Sequence, residues 1–96
     1  MQAKEEIEGS ISSVDWFVYI LKCQDGSLYT GITNDLERRL KMHNNGKASR
    51  YTRIRRPVVL LYHETCASRT QALVRECAVK ALPRVKKEEL IFTYVD

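Results

Sequence analysis

The feature that most constrains the fold of this sequence is a pair of short apolar segments separated by a turn signal. Residues 16–23 read Trp-Phe-Val-Tyr-Ile-Leu-Lys-Cys, rich in the aromatic and β-branched residues that favour strands. Residues 28–32 read Leu-Tyr-Thr-Gly-Ile, and the Asp-Gly pair between the two segments is typical of a hairpin turn. The sequence therefore predicts a β-hairpin that brings two phenols, Tyr19 and Tyr29, close together.

The length of the turn decides how the two tyrosines face each other. We expect a three-residue loop at 24–26 to pair Tyr19 directly with Tyr29, whereas a two-residue Asp-Gly turn would not do so. Both registers are compatible with the sequence.

The segment after the hairpin predicts a helix. Thr33 or Asn34 is the candidate N-cap, and the helix is expected to run to about residue 44 or 45, where Gly46 ends it. Leu36 and Leu40 mark its buried stripe. Arg39 and His43 are four positions apart on this helix, so they project from one face beside that stripe.

The second half of the chain predicts a strand and two more helices. We expect a basic loop at 46–56, an apolar strand at 58–62 in the centre of the sheet, and helices at 69–82 and 84–91. Ser68 is the expected cap of the first of these helices, and Pro83 separates the two.

This pattern predicts an α/β (α+β) fold. A small three-stranded, mainly antiparallel sheet is flanked by helices in the order β-β-α-β-α-α. The length of 96 residues suits one core, so we expect a flexible N-terminal tail over residues 1–14 and a single domain over residues 15–96.

Positive charge is concentrated in one part of the chain. Residues 38–56 contain eight of the sixteen Lys and Arg residues and no carboxylate. A segment of one sign predicts a polyanionic partner, most often nucleic acid, and the alternative is a solvated basic loop. The residues expected to contact nucleic acid are Arg38, Lys41, Lys47, Arg50, Tyr51, Arg53, Arg55 and Arg56.

Several classes of protein do not fit the sequence. No apolar run reaches the roughly 20 residues of a membrane helix, and the N-terminus lacks the pattern of a secretory signal. The three cysteines, at positions 23, 66 and 77, lack C-x-x-C spacing and are expected to be free core residues in a reducing cytoplasm. We expect neither a membrane partner nor a small-molecule cofactor.

Glu76 is the unusual residue of the predicted helix 69–82, because most of its neighbours are apolar. A partly buried carboxylate needs a partner. Lys80, one turn later, offers an ion pair, and a hard cation such as Mg²⁺ is the other candidate. The helix alone favours the ion pair.

Other polar and aromatic residues also have two interpretations. Arg39 is either a solvated cation or a bidentate ligand of a phosphate group, a contact that lysine cannot reproduce. His43 suits a contact with the helix dipole better than catalysis. Tyr19 and Tyr29, taken alone, fit ordinary strand aromatics.

The order of these residues resembles the GIY-YIG nuclease superfamily. Val18-Tyr19-Ile20 and Tyr29-Thr30-Gly31 are similar to its two half-motifs, although Phe17 replaces the first glycine. An arginine ten residues after the second tyrosine, and a histidine four residues later, resemble the pattern Tyr-x-Gly-x(7)-Arg-x(3)-His. Residues 72–80 resemble the metal-binding glutamate segment, and residues 46–53 resemble a loop of the small stand-alone bacterial members. The resemblance covers about residues 15–92.

The resemblance implies a metal-dependent endonuclease that hydrolyses phosphodiester bonds in DNA, with DNA repair or recombination as its context. Tyr19 would act as general base on water, Tyr29 would orient the site by hydrogen bonding, and Arg39 would clamp the phosphate. His43 would support Tyr19 or the phosphate, and Glu76 would be the single protein ligand of Mg²⁺ or Mn²⁺. Because a free tyrosine has a pKa of about 10, cations or a proton acceptor must help Tyr19.

Two other functions stay open at this point. A nucleic-acid binding module of the same fold that cuts weakly or not at all would use the basic segment in the same way. A protein-interaction domain would use that segment to bind an acidic partner.

Overall fold

The computed structural model of the chain describes residues 15–94. Residues 1–14, for which a flexible tail is predicted, and residues 95–96 lie outside the described residues. The described part contains strands β1 (Trp16–Lys22), β2 (Leu28–Thr33) and β3 (Val59–Cys66), and helices α1 (Leu36–Asn44), α2 (Arg50–Arg53), α3 (Arg69–Lys80) and α4 (Arg84–Tyr94). The predicted fold class and order of main elements are confirmed. The basic loop at 46–56 contains one helical turn, α2, that was not predicted.

The three strands form an antiparallel sheet in the order β2-β1-β3. The prediction that the apolar strand lies in the centre is wrong, because β1 pairs with both neighbours and β3 forms an edge. The first residues of that strand, Val59 and Leu60, are 53% and 36% exposed. The strand also continues beyond residue 62 to Cys66.

The hairpin has the three-residue loop, yet Tyr19 does not face Tyr29. The backbone N–H of Cys23 donates to the carbonyl of Ser27 at 2.9 Å, and from this closing pair the register places Tyr19 opposite Gly31. The expected Tyr19–Tyr29 pair is therefore wrong by two residues, and Tyr29 lies opposite Leu21 instead. The residue opposite Tyr19 is therefore a glycine, which has no side chain.

Alternation along the strands divides the core between the two faces of the sheet. One core contains the side chains of Tyr19, Leu21, Cys23 and Val58, and the predicted α1 leucines, Leu36 and Leu40, pack against it. The other core contains Val18, Ile20, Tyr62, Ala72 and Val79, the last two from α3, and α4 adds Leu90 and Ile91. Helix α1 thus covers the face that bears Tyr19, and α3 and α4 cover the opposite face.

The helix ends agree with the predictions to within a few residues. Asp35, rather than Thr33 or Asn34, caps α1, because its carboxylate accepts the backbone N–H of Arg38 at 3.1 Å. Thr33 Oγ1 instead accepts the N–H of Asp35 in the turn before the helix. Ser68 caps α3 as predicted, and α4 extends three residues beyond the predicted end at 91. Within residues 15–94, no helix has the length and apolar character needed to cross a membrane.

Candidate active site

Tyr19 and His43 form the centre of the candidate site. Tyr19 projects from the central strand, and its hydroxyl lies 2.8 Å from Nε2 of His43 in the last turn of α1. Both side chains are buried. A Cβ atom at position 31 would lie 2.5 Å from the Tyr19 hydroxyl oxygen, so the tyrosine ring crosses directly over Gly31. The missing side chain of Gly31 therefore allows the phenol to reach the histidine.

The hydrogen-bonded chain continues from His43 into α2. Nδ1 of His43 lies 2.8 Å from Oγ1 of Thr52, a fully buried residue. Thr52 Oγ1 donates in turn to the backbone carbonyl of Ser49, at 3.4 Å. The sequence does not predict a role for Thr52, because no motif or helical spacing relates it to His43.

Burial shifts the pKa values of both members of the central pair. Burial raises the pKa of Tyr19 well above its usual value, Tyr29 and Glu76 add to the increase, and the Arg39 guanidinium opposes it. Burial, and secondly the charge of Arg39, lower the pKa of His43 to about 4. At neutral pH, Tyr19 is therefore a phenol and His43 is an uncharged imidazole.

Tyr29 lies between the central pair and α2. Its ring centroid is 6.5 Å from that of Tyr19, 5.2 Å from that of His43 and 6.1 Å from that of Tyr51. Among the described residues, no hydrogen bond is formed by the Tyr29 hydroxyl. Within residues 15–94 the recorded contacts of Tyr29 are therefore ring packing, and the hydrogen bonding expected of it in catalysis stays a prediction.

Arg39 and Glu76 carry opposite charges and act in opposite directions on the pKa of Tyr19. Arg39 is half-buried and lines a crevice next to Tyr19, and the part of the chain described contains no salt-bridge partner for it. Glu76 forms the ion pair with Lys80 that the sequence favours, with Oε2 and Nζ 3.2 Å apart. The side chain of Glu76 is 18% exposed and that of Lys80 is 56% exposed, so Glu76 does not lie in a closed core.

The structure separates the predicted nucleic-acid contacts into two sets. Arg55 binds Asp25 and the carbonyl of Tyr51, and its guanidinium covers one face of the Tyr51 ring at 3.8 Å. Arg56 donates to the carbonyls of Arg53 and Asn44. Five predicted cations have exposed side chains without a salt-bridge partner in the described chain: Arg38, Lys41, Lys47, Arg50 and Arg53.

The three cysteines also differ in their surroundings. Cys23 is buried and Cys66 is half-buried, in line with the core positions expected, whereas Cys77 is exposed. The expectation of a core position is therefore wrong for Cys77. This residue lies on an exposed face of α3, which the largely apolar sequence of the helix did not reveal.

The fold and the arrangement around Tyr19 define a small α/β domain with a buried tyrosine–histidine pair. Comparison with known proteins makes the assignment specific: the GIY-YIG catalytic domain family matches residues 15–89, and the chain belongs to this family. Membership indicates a nuclease domain that binds nucleic acid.

Relatives of this chain are small bacterial proteins. A UPF0213 protein of Desulfotalea psychrophila is 53% identical over 77 residues, which are 79% of this chain and 70% of the relative. A UPF0213 protein of Staphylococcus saprophyticus is 51% identical over 78% of this chain and 92% of its own length. The solution NMR structure of a Bacillus halodurans UPF0213 protein is similar with a TM-score of 0.54 at 46% identity, covering 82% of this chain and 84% of that one.

Proposed function

We propose that this protein is an endonuclease that hydrolyses phosphodiester bonds in DNA with the help of Mg²⁺ or Mn²⁺ at a single site. The observation that carries the proposal is the 2.8 Å contact between the Tyr19 hydroxyl and His43 Nε2, together with the influence of the Arg39 and Glu76 charges on the pKa of Tyr19. In the proposed mechanism, this set would supply a proton relay, a phosphate ligand and a cation ligand, which together meet the needs of phosphodiester hydrolysis.

The proposed step moves two protons. Tyr19 takes a proton from a water molecule as the water oxygen attacks phosphorus, and the phenol proton passes to Nε2 of His43. The bond from phosphorus to the leaving sugar oxygen breaks, and solvent protonates that oxygen. The products are a phosphomonoester and an alcohol, and the proton left on His43 returns to solvent afterwards.

The resting site does not hold a phenolate, because the pKa of Tyr19 is raised and the pKa of His43 is lowered. A bound phosphodiester would change the electrostatic surroundings of His43 in two ways. Its negative charge stabilises the imidazolium form of His43, and Arg39, which holds the phosphate, no longer acts on the histidine as an unpaired cation. We infer that proton transfer from Tyr19 depends on bound substrate, which limits side reactions in the free protein.

Glu76 suits a single divalent cation. Its only ion-pair partner in the described chain is an exposed lysine on the same helix, which can swing into solvent and release the carboxylate. Residues 15–94 contain no group of three or more His, Cys, Asp or Glu residues that could enclose a metal, so Glu76 would bind the cation together with waters and phosphate oxygens. Bound there, Mg²⁺ would neutralise charge on the phosphate and the leaving oxygen.

We expect Glu76→Gln to abolish the stimulation of DNA cleavage by Mg²⁺, because the amide is a much weaker cation ligand than the carboxylate. The measurement is nicking of supercoiled plasmid and cleavage of branched DNA across a Mg²⁺ titration, with and without EDTA. Glu88→Gln is the matched control, since it removes an exposed carboxylate in an i,i+4 ion pair on α4. Cleavage by Glu76→Gln that equals cleavage by the control at every Mg²⁺ concentration would contradict the metal assignment.

The exposed cations near α2 are proposed to hold the DNA backbone. Lys47, Arg50 and Arg53 line one open depression of about 240 Å³ on the surface. We expect their combined replacement by alanine to reduce the slope of log affinity against log salt concentration by about 3, because each contact releases nearly one counterion from duplex DNA. Fluorescence anisotropy with duplex DNA, repeated with matched RNA, measures this slope.

A triple alanine variant of Arg84, Lys86 and Lys87 on α4 is the control for that experiment, because it removes the same charge from the other face of the sheet. An equal change of slope in both variants would assign the effect to net charge rather than to a surface. Arg55→Ala is expected to lower stability instead, since its guanidinium binds Asp25 and Tyr51.

A second function is supported by the same pKa shifts. A buried phenol and an imidazole that resists protonation also suit a module that binds nucleic acid and cuts weakly or not at all. Salt-dependent binding without nicking, in Mg²⁺ and in Mn²⁺, would favour this function over the nuclease. A role in DNA repair or recombination predicts faster cleavage of branched DNA than of duplex DNA. The free thiol at Cys77 is compatible with the proposed location in a reducing cytoplasm.

A further inference from the structure

The hydrogen-bond partner of His43 on the side away from Tyr19 is Thr52. A neutral imidazole carries one proton, and the bond made by one ring nitrogen decides which nitrogen carries it. His43 can serve Tyr19 as a proton acceptor only if Nε2 is free, which requires the proton to be on Nδ1.

Two contacts indicate which way the protons point along these hydrogen bonds. A carbonyl oxygen can only accept, so the hydroxyl proton of Thr52 points to the Ser49 carbonyl, and Thr52 Oγ1 accepts from Nδ1–H of His43. At the other end, Tyr19 is a phenol, and within residues 15–94 the only hydrogen-bond acceptor recorded for its hydroxyl is His43 Nε2. Both contacts fit the Nδ1–H tautomer of His43.

We propose that Thr52 is a positioning residue that holds His43 as the Nδ1–H tautomer and so keeps Nε2 free for the proton of Tyr19. This proposal rests on the proposed nuclease function. Thr52 suits the task because it is fully buried and doubly attached to Ser49. Its backbone N–H binds the Ser49 hydroxyl at 3.3 Å, and its own hydroxyl binds the Ser49 carbonyl. Helix α2 thereby joins the exposed basic segment to the proton acceptor.

The tautomer can be measured without DNA or cleavage. Long-range ¹H–¹⁵N NMR spectra of the full chain distinguish a protonated Nδ1 from a protonated Nε2. The chain has only two histidines, so the signals that disappear in His43→Gln belong to His43. We expect Nδ1–H in the wild type and in Thr52→Ser, which keeps the hydroxyl, and a mixture of tautomers or Nε2–H in Thr52→Val. A wild-type His43 protonated on Nε2 would overturn the proposal.

Cleavage supplies the second readout. We expect Thr52→Val to lower kcat by about 10- to 100-fold, the range typical of partners that orient a functional histidine, with little change in DNA affinity. Thr52→Ser is expected to restore most of the rate. Thr65→Val, the same substitution at an exposed position of β3, is the fold control. An unchanged tautomer and rate in folded Thr52→Val would refute the role of Thr52.

The two measurements separate the possible failures. If Thr52→Val loses the Nδ1–H tautomer that the wild type shows, but the wild type cuts no DNA, the positioning by Thr52 stands and the nuclease function fails. If the wild type cuts DNA but Thr52→Val retains both rate and tautomer, the nuclease function stands and the role of Thr52 fails. If Thr52→Val does not fold, Thr52→Ala takes its place, because it also removes the hydroxyl, and its tautomer is compared with that of Thr52→Ser.

Discussion

Replacing Tyr19 with phenylalanine is expected to lower the rate of DNA cleavage by about 10²- to 10⁴-fold, the usual contribution of a general base. The substitution removes one oxygen atom, which carries the hydrogen bond to His43. Because the ring remains over Gly31 and in its core, DNA affinity is expected to change little. The measurement is single-turnover cleavage at saturating protein, compared with anisotropy binding under the same salt conditions.

Tyr62→Phe is the matched control for this prediction. Tyr62 is also a buried tyrosine in the sheet, but it belongs to the opposite core and donates its hydroxyl proton to Glu64, which Arg75 binds with two contacts. Loss of this hydrogen bond is expected to cost about 1 kcal/mol of stability without affecting cleavage by the folded protein. If both variants cut DNA at the wild-type rate, Tyr19 is not the general base, and another group must activate the attacking water.

The sequence predicted the composition of the site better than its geometry. Residues of the ordered set come from β1, β2, α1 and α3, and the resemblance to a family connected them before any contact was known. Local rules were sufficient for the helices, because caps such as Ser68 and stop signals such as Gly46 act within a few residues of the end.

The failures of prediction share a physical cause, since each depends on contacts between distant segments. The apolar run at 58–62 is compatible with a central or an edge strand, and only the pairing of β1 with both neighbours makes β3 an edge. Thr52 is invisible in the sequence because its hydroxyl meets His43 only after α2 folds back onto α1. The identity of the residue opposite Tyr19 depends on the register, which is fixed where the hairpin loop closes.

That register makes Gly31 the residue with the second large expected effect. In Gly31→Ala, the new Cβ would lie 2.5 Å from the Tyr19 hydroxyl oxygen and 2.7 Å from Cζ, distances at which the ring must move. The ring is buried, and a displacement of its hydroxyl breaks the 2.8 Å bond to His43. We expect cleavage to fall by about 10²-fold or more, as for a 1 Å misplacement of a catalytic group. Overpacking is expected to lower the free energy of unfolding by about 1–3 kcal/mol.

A matched glycine in the same hairpin separates displacement of Tyr19 from general destabilisation. Gly26 has a φ of +87°, and a Cβ there would meet no atom within 4 Å. Gly26→Ala should therefore cost about 1–2 kcal/mol through the left-handed backbone alone and leave Tyr19 in place. Urea unfolding and single-turnover cleavage of both variants provide the comparison. If both variants lose similar stability but only Gly31→Ala loses cleavage, Gly31 is required because it leaves space for the Tyr19 ring. Equal cleavage by the two variants would show that Tyr19 acts from another position.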